Sequence, residues 1–364
     1  MLLHANHIRN IRLILSFAVI WMLFGFCYSL LEYGIIGRLE FYPATGNKYS
    51  FKTSLVAVCI GSFFMGFIQG CIEVLWLKRQ FRNRSLWAKI LFKSIFYLAL
   101  TITFLLVFAV WYNARVNEVS IFDPLVSGSI KQFVQTFSFW SIVIYAGLGL
   151  DVALFYSEME EYFGTDLLPK YVGRYHRPKQ EIRIFMFLDM KSSTTIAERL
   201  GDAKYFELLK TYYANMSNAI LETSGQVYQY VGDEIVVSWR EKSGTQNNNC
   251  LHCFFKIEDA VNRKKSYYQK KFGLVPEFKA GYHVGKVTTG EIGIIKKDIV
   301  HTGDILNTAS RIQDKCNALK SKVLISKELR ERLGDADVFS FEEVDKLLLR
   351  GKTSEVQLYS VKRL

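Results

Sequence analysis

Apolar positions are distributed unevenly along the chain. Before about residue 157 they run in long, nearly unbroken stretches, and beyond it they alternate with polar residues at strand and helix periods. Four stretches are long enough to cross a bilayer, which takes roughly 20 residues of helix. They run from Leu13 to Leu31, about Ser54 to Leu77, Ser94 to Asn113, and Gln132 to about Tyr156. The segment Ser157 to Glu181 begins as a continuation of the fourth helix, but Pro169 and Pro178 prevent one unbroken helix through it. From Ile182 the pattern becomes α/β. IRIFMFL reads as a buried strand, about Thr195 to Thr223 as a helix broken at Gly201, and YQYVGDEIVV as a hairpin turning at Gly232–Asp233. A charged helix over roughly Leu251 to Phe272 follows. EFKAGYHVGKVTTGEIG reads as a pair of strands, DILNTASRIQDKCNALK as a helix, and the chain ends in VLIS, a short helix and two strands. The expected architecture is an α-helical transmembrane bundle of four spans over 1–156, a coupling linker over 157–181, and an α+β domain of ferredoxin-like kind over 182–364.

Charge decides how the spans are oriented. Arg9 and Arg12 precede the first span, and Lys78, Arg79, Arg82, Arg84, Lys89 and Lys93 crowd the link between the second and third. The other two links hold fewer basic residues, so both termini and everything after Tyr156 are expected on the cytoplasmic side. The first span lacks a small-residue cleavage site and reads as a retained helix rather than a signal peptide. The net charge of +12 sits largely beside hydrophobic segments, which points to a lipid bilayer as partner and not to nucleic acid. In the second span Gly66 and Gly70 form a GxxxG face with Ser62 before it, fit either for packing within the bundle or for a dimer seam. Glu73, Lys93 and Asp151 fall near the cytoplasmic helix ends, where such charges pair across helices. The six cysteines show no disulfide framework. Cys250 and Cys253 have metal-like spacing, but only Cys316 would add a thiol, so they read as core residues; the polar interval Lys242 to Asn249 reads as an exposed loop.

The candidate chemistry lies in the second half. Asp189 ends the first strand in FLDMKSSTTIAE, directly before Ser192, Ser193, Thr194 and a capping-box pair, Thr195 and Glu198. A helix start of that kind cradles phosphate oxygens. In a βαββ arrangement the first strand lies beside the Gly-Asp hairpin, so Asp189 and Asp233 are expected to converge at one end of the sheet. Two acids beside an anion cradle suit a divalent cation holding a polyphosphate. In GDILNTASR, Asp304 is expected as N-cap, which puts Asn307 and Arg311 on one helix face, an amide and a guanidinium suited to a phosphoryl transition state. Arg350 and Lys352 flank a glycine turn and offer further phosphate contacts.

These motifs resemble those of the class III adenylate/guanylate cyclases. FLDMKSST resembles the family's first metal motif, YVGDEIVV its hairpin motif and LNTASR its dimer-partner motif, so the resemblance covers about half the chain. It implies a nucleotide cyclase domain in which Asp189 and Asp233, with the Met190 carbonyl, bind two divalent cations, Mg²⁺ or Mn²⁺. It implies that Asn307 and Arg311 stabilise the transition state and that Arg350 or Lys352 contacts phosphate. It implies a head-to-tail homodimer whose two sites each draw on both subunits. The implied reaction converts ATP, or GTP, to a 3′,5′-cyclic nucleotide and pyrophosphate. The chain departs from the family where the base is read. Adenylate cyclases usually carry Lys with Asp or Thr there, and guanylate cyclases Glu with Cys; here Gln229 and Val300 stand at those positions, with His301 one residue on. ATP is the expected substrate, GTP the alternative. A cyclase-like receptor without turnover is a third reading, and a diguanylate cyclase, whose hairpin VGDEI resembles, is opposed by LNTASR.

Overall fold

The computed structural model describes residues 5–37, 40–41, 49–81, 85–163, 177–295, 297–334, 338–348 and 355–364. The chain divides near residue 167 into two compact units.

The first unit is helical. Helix α1 covers Ala5–Ile36, and α2 covers Phe51–Ile72 and continues through a π-helical turn, Glu73–Leu77. Helices α3 (Leu86–Val116), α4 (Pro124–Val134) and α5 (Phe137–Phe163) follow. Four segments are long and apolar enough to cross a membrane: Asn10–Ile35, Phe51–Leu77, Trp87–Arg115 and Phe137–Met159. The fourth starts later than its apolar pattern implies. Gln135 and Thr136 interrupt the run, and Thr136 Oγ1 accepts from the Phe139 amide at 3.4 Å, so α4 is a separate helix.

The glycine pair of α2 is used inside the chain. A Cβ on Gly66 would strike the backbone of Phe17 and Ala18, and one on Gly70 that of Ile14, so α2 lies directly against α1. Charged residues are buried near the ends of three helices. Lys93 bonds to the Glu73 carboxylate and, at 2.7 Å, to Glu158 Oε1; Tyr97 donates to Glu73 Oε2 at 3.0 Å, and Lys89 to Glu158 Oε2 at 3.4 Å. Asp151 is not part of this node: it is exposed and accepts from Ser94 Oγ at 2.7 Å. Glu158, unremarked in the sequence, occupies the third place.

The second unit is an eight-stranded sheet packed with helices. Strand β1 (Lys179–Met190) leads through α6 (Ser193–Leu200) and α7 (Asp202–Glu222) to the hairpin β2 (Gln226–Val231) and β3 (Glu234–Arg240). Helices α8 (Asn249–Arg263) and α9 (Lys265–Phe272) precede β4 (Phe278–Ile292) and β5 (Asp298–Thr302). Helix α10 (Asp304–Ala318), β6 (Val323–Ser326), β7 (Phe339–Leu348) and β8 (Glu355–Arg363) complete it. The strand order is β2-β3-β1-β4-β6-β8-β7, with β5 paired to β4. Its β2-β3-β1-β4 portion is antiparallel and has the order of a ferredoxin-like βαββαβ unit.

The sheet has two different faces. Even-numbered residues of β1 (Ile184, Met186, Leu188) join Ile235, Val237, Trp239 and Tyr282 in the main core with the helices α7 and α8. Odd-numbered residues (Phe185, Phe187) join Val236, Val287, Ile305 and Ala309 in a smaller cluster beneath α10. Helix α10 can lie this close because β4 has Gly281 there: a Cβ would collide with the Gln313 backbone. That glycine marks a close approach and not a turn, so β4 is one strand of 15 residues where the sequence reads as two. The interval before Asn249 is likewise no loose loop, since Asn248 is buried and exchanges two 3.1 Å hydrogen bonds with Gly334. The thiols of Cys250 and Cys253 lie in the core, where burial pushes both up to about 12. Arg350 and Lys352 lie outside the described residues.

Candidate active site

Antiparallel pairing of β1 with β3 (Leu188↔Ile235) brings the end of β1 beside the hairpin turn. Gly232, at φ 59°, makes that turn, and the Tyr213 hydroxyl holds it by donating to the carbonyls of Gly232 at 2.8 Å and Glu234 at 3.3 Å. Asp189 and Asp233 therefore converge. Burial and the neighbouring Asp233 carboxylate push Asp189 up to about 6. Against that rise stand Lys279, 3.6 Å from Asp189 Oδ2, and Gln313, whose Nε2 donates to the same oxygen at 3.0 Å. Glu234 is half-buried nearby, and burial, with Asp189 and Asp233, pushes it up to about 7. One oxygen of the pair, Asp233 Oδ2, is buried and has no hydrogen-bond partner.

A buried carboxylate oxygen without a donor, facing a second carboxylate that is reluctant to ionise, is a site short of positive charge. The donor set is all oxygen, as hard divalent cations prefer, so these residues fit Mg²⁺ or Mn²⁺. A prediction follows from the sign of the shift. The folded metal-free protein holds its Asp189 and Glu234 protons more tightly than the unfolded chain does, so its stability falls as pH rises from about 4 to about 7. Bound by these acids, Mn²⁺ would take over the proton's role. It is expected to raise the unfolding midpoint by several degrees at pH 7.5 and by much less at pH 5. Equal stabilisation at both values would contradict the assignment.

Ser192 precedes α6 in left-handed conformation (φ 55°), with no side-chain cap. The helix starts at Ser193, so the expected Thr195–Glu198 capping box is not formed. Ser193 is half-buried at the first position of the helix. Thr194 is exposed in the first turn. At α10 the N-cap is Gly303, and Asp304 lies inside the helix, where it accepts from Thr308 Oγ1 at 3.2 Å. Asn307 is exposed and Arg311 half-buried, one turn apart. Gln313, which touches Asp189, lies two residues beyond Arg311, about 200° around the helix. The acids and the Asn–Arg pair thus flank α10 on different sides.

The base-reading candidates fall on both faces of the sheet. A β-bulge at Tyr228 sets Tyr228 and Gln229 together opposite Val236, on the face of Phe185. His301 pairs with Thr289 and packs on Phe185 at 5.4 Å and Tyr228 at 5.0 Å between centroids. Val300, its neighbour in β5, pairs with Gly290 and points to the other face.

The sequence profile of the adenylate and guanylate cyclase catalytic domain matches residues 175–363. The chain belongs to that cyclase family. Adenylate cyclase 2 of Rhizobium meliloti is 32% identical over 61% of this chain and 61% of its own length. The adenylate cyclase of Anabaena cylindrica is 29% identical over 49% of this chain and 36% of its own. The chain thus spans less than two thirds of these relatives. Among solved structures, the adenylyl cyclase CyaB from P. aeruginosa aligns with 51% of this chain and 96% of its own, at 23% identity and a TM-score of 0.44.

Sequence reasoning about this cyclase chain missed Lys279, Gln313, Glu234 and Tyr213. The first was within reach: once β1 and β4 are paired with Asp189 opposite Lys279, an ammonium beside the acid follows. Gln313 had no comparable signal, since its approach depends on how closely α10 sits over Gly281.

Proposed function

We propose that this protein is a membrane-anchored nucleotide cyclase that converts ATP to 3′,5′-cyclic AMP and pyrophosphate in a homodimer, with its catalytic unit on the cytoplasmic side. The observation that carries the reading is the separation across α10: the acids lie on one side of it, Asn307 and Arg311 on the other. A single chain cannot close both sets on one small substrate, whereas a second copy facing head to tail supplies the missing half of each site. Exposed apolar residues near these elements, Val231 on the hairpin and Ile292, Ile294 and Ile295 at the β4–β5 turn, suit such a contact.

In this reading Asp189, Asp233 and the Met190 carbonyl hold the cations, and Lys279 and Gln313 fix the Asp189 carboxylate. Two divalent cations, when bound there, lower the pKa of the ribose 3′-hydroxyl and neutralise the triphosphate. Ser192, Ser193 and Thr194 line the phosphates at the α6 start. From the partner, the Asn307 amide orients the ribose, and the Arg311 guanidinium takes charge that develops on the α-phosphate as the P–O bond to pyrophosphate breaks. Arg350 and Lys352 are proposed as further phosphate contacts.

The test is direct. Membranes carrying the full chain are incubated with ATP or GTP and Mg²⁺ or Mn²⁺, and cyclic nucleotide and pyrophosphate are quantified. Cyclic AMP is expected to exceed cyclic GMP. Nucleotide binding without either product would favour a receptor that has lost turnover.

A further inference from the structure

Five basic residues crowd nine positions where α8 passes into α9, in RKKSYYQKK from Arg263 to Lys271. No acid stands between Asp259 and Glu277. The fold adds to this charge. Lys264 Nζ donates to Asn215 Oδ1 at 2.6 Å and Lys271 Nζ meets Glu207 Oε1 at 2.6 Å, so α9 runs antiparallel beside α7. That contact brings in Lys210, exposed on α7 a turn beyond Glu207. Arg263, Lys264, Lys265 and Lys270 are exposed as well, and among the described residues no acid pairs with any of these five. Asp259, the acid before them, is taken by Arg363 at 2.7 and 2.8 Å. Cations at the ends of α8 and α9 complement the helix dipoles, but two helix ends do not call for this many. Tyr267 stands 46% exposed among them, with Lys271 Nζ donating to its hydroxyl at 3.0 Å. Tyr268 and Phe272 point the other way, into the main core. Helix α9 therefore covers the face of the sheet away from α10, and the basic surface stands clear of Asn307 and Arg311.

We propose that this surface docks on the anionic face of a lipid bilayer, its cations meeting lipid phosphates and carboxylates and Tyr267 entering the headgroup layer. Charge complementarity sets the partner's sign. Proximity sets its kind. Each lysine attracts an anionic surface only weakly, and the attraction fades within a Debye length, roughly 8 Å at physiological salt. It becomes effective when the same chain already holds the surface near lipid, because tethering raises the local concentration of the partner. The proposal therefore rests on the membrane-anchored reading above, with the second unit on the cytoplasmic side, and not on the cyclase chemistry.

The experiment reads lysine accessibility in the full chain. The protein is placed in bilayer discs of phosphatidylcholine alone, or of phosphatidylcholine with about a third phosphatidylserine. Lysines are acetylated with an uncharged reagent and followed by mass spectrometry, with exposed Lys320, beyond the end of α10, as reference. Acetylation of Lys264, Lys265 and Lys270 is expected to slow about fivefold in the anionic discs and to recover in about 0.5 M NaCl, while Lys320 is unchanged. Lys265→Glu combined with Lys270→Glu should abolish the slowing at Lys264. Both side chains are exposed and unpaired, so the unfolding midpoint should stay where it is. Equal rates in the two kinds of disc, or a slowing that the double variant keeps, overturns the proposal. Protection by a short RNA and not by phosphatidylserine overturns it in favour of nucleic acid. A chain that enters neither disc overturns the membrane anchoring and the proposal together.

Discussion

Asp233→Ala is expected to lower cyclic-nucleotide formation by at least about a thousandfold while the protein stays folded. A thousandfold corresponds to about 4 kcal/mol of transition-state stabilisation, within what a cation holding a transferring phosphoryl group supplies. Folding should survive because the Asp233 side chain does little for the hairpin. Gly232 makes the turn, Tyr213 bonds the carbonyls on either side of Asp233, and Asp233 Oδ2 has no partner to lose. Removing its charge also relieves Asp189 and Glu234, so the metal-free unfolding midpoint should hold or rise. Turnover within a few-fold of the parent, measured at saturating Mn²⁺ and ATP, would refute the metal assignment. A collapse in stability would instead show that the carboxylate is structural.

The second large effect is a rescue. Asp189→Ala and Arg311→Ala are each expected to be nearly inactive alone. In a heterodimer of the two, one site carries both lesions and the other carries neither. Random pairing makes about half the dimers mixed, each with one sound site of two, so co-expression should restore about a quarter of parental activity. Silence from heterodimers verified by two affinity tags would show that acids and Arg311 serve one subunit's site.

Much of this was legible in the chain because the signals were local. The Gly-Asp hairpin, the Gly201 break between α6 and α7, and Asn307 and Arg311 a turn apart on α10 all follow from short-range spacing. What was misread depended on partners distant in sequence. The glycines of β4 look like turn residues until a helix is packed against one of them. Asp304 resembles an N-cap, but the chain turns one residue earlier, at Gly303. Glu73, Lys93 and Asp151 were expected to pair across helices, but Glu158, which was not considered, takes the place of Asp151, because depth along a helix says nothing about which side it faces. The polar stretch before Asn249 reads as loop because the two hydrogen bonds that bury Asn248 come from Gly334. Alternation along β5 puts His301 and Val300 on opposite faces, but which of them meets Phe185 follows only once the register with β4 is known.

The buried node of Lys93, Glu73 and Glu158 bears on how the protein is made. A lysine left in hydrocarbon costs about 3 kcal/mol, and this one finds its two counter-charges on helices synthesised before and after it. Lys93 therefore draws one counter-charge from the second apolar helix and gains the other only with the fourth, which carries Glu158 near its end. In the membrane-anchored reading, a chain that stalls before residue 158 leaves Lys93 with Glu73 as its one carboxylate, and the node is completed only when the fourth helix arrives.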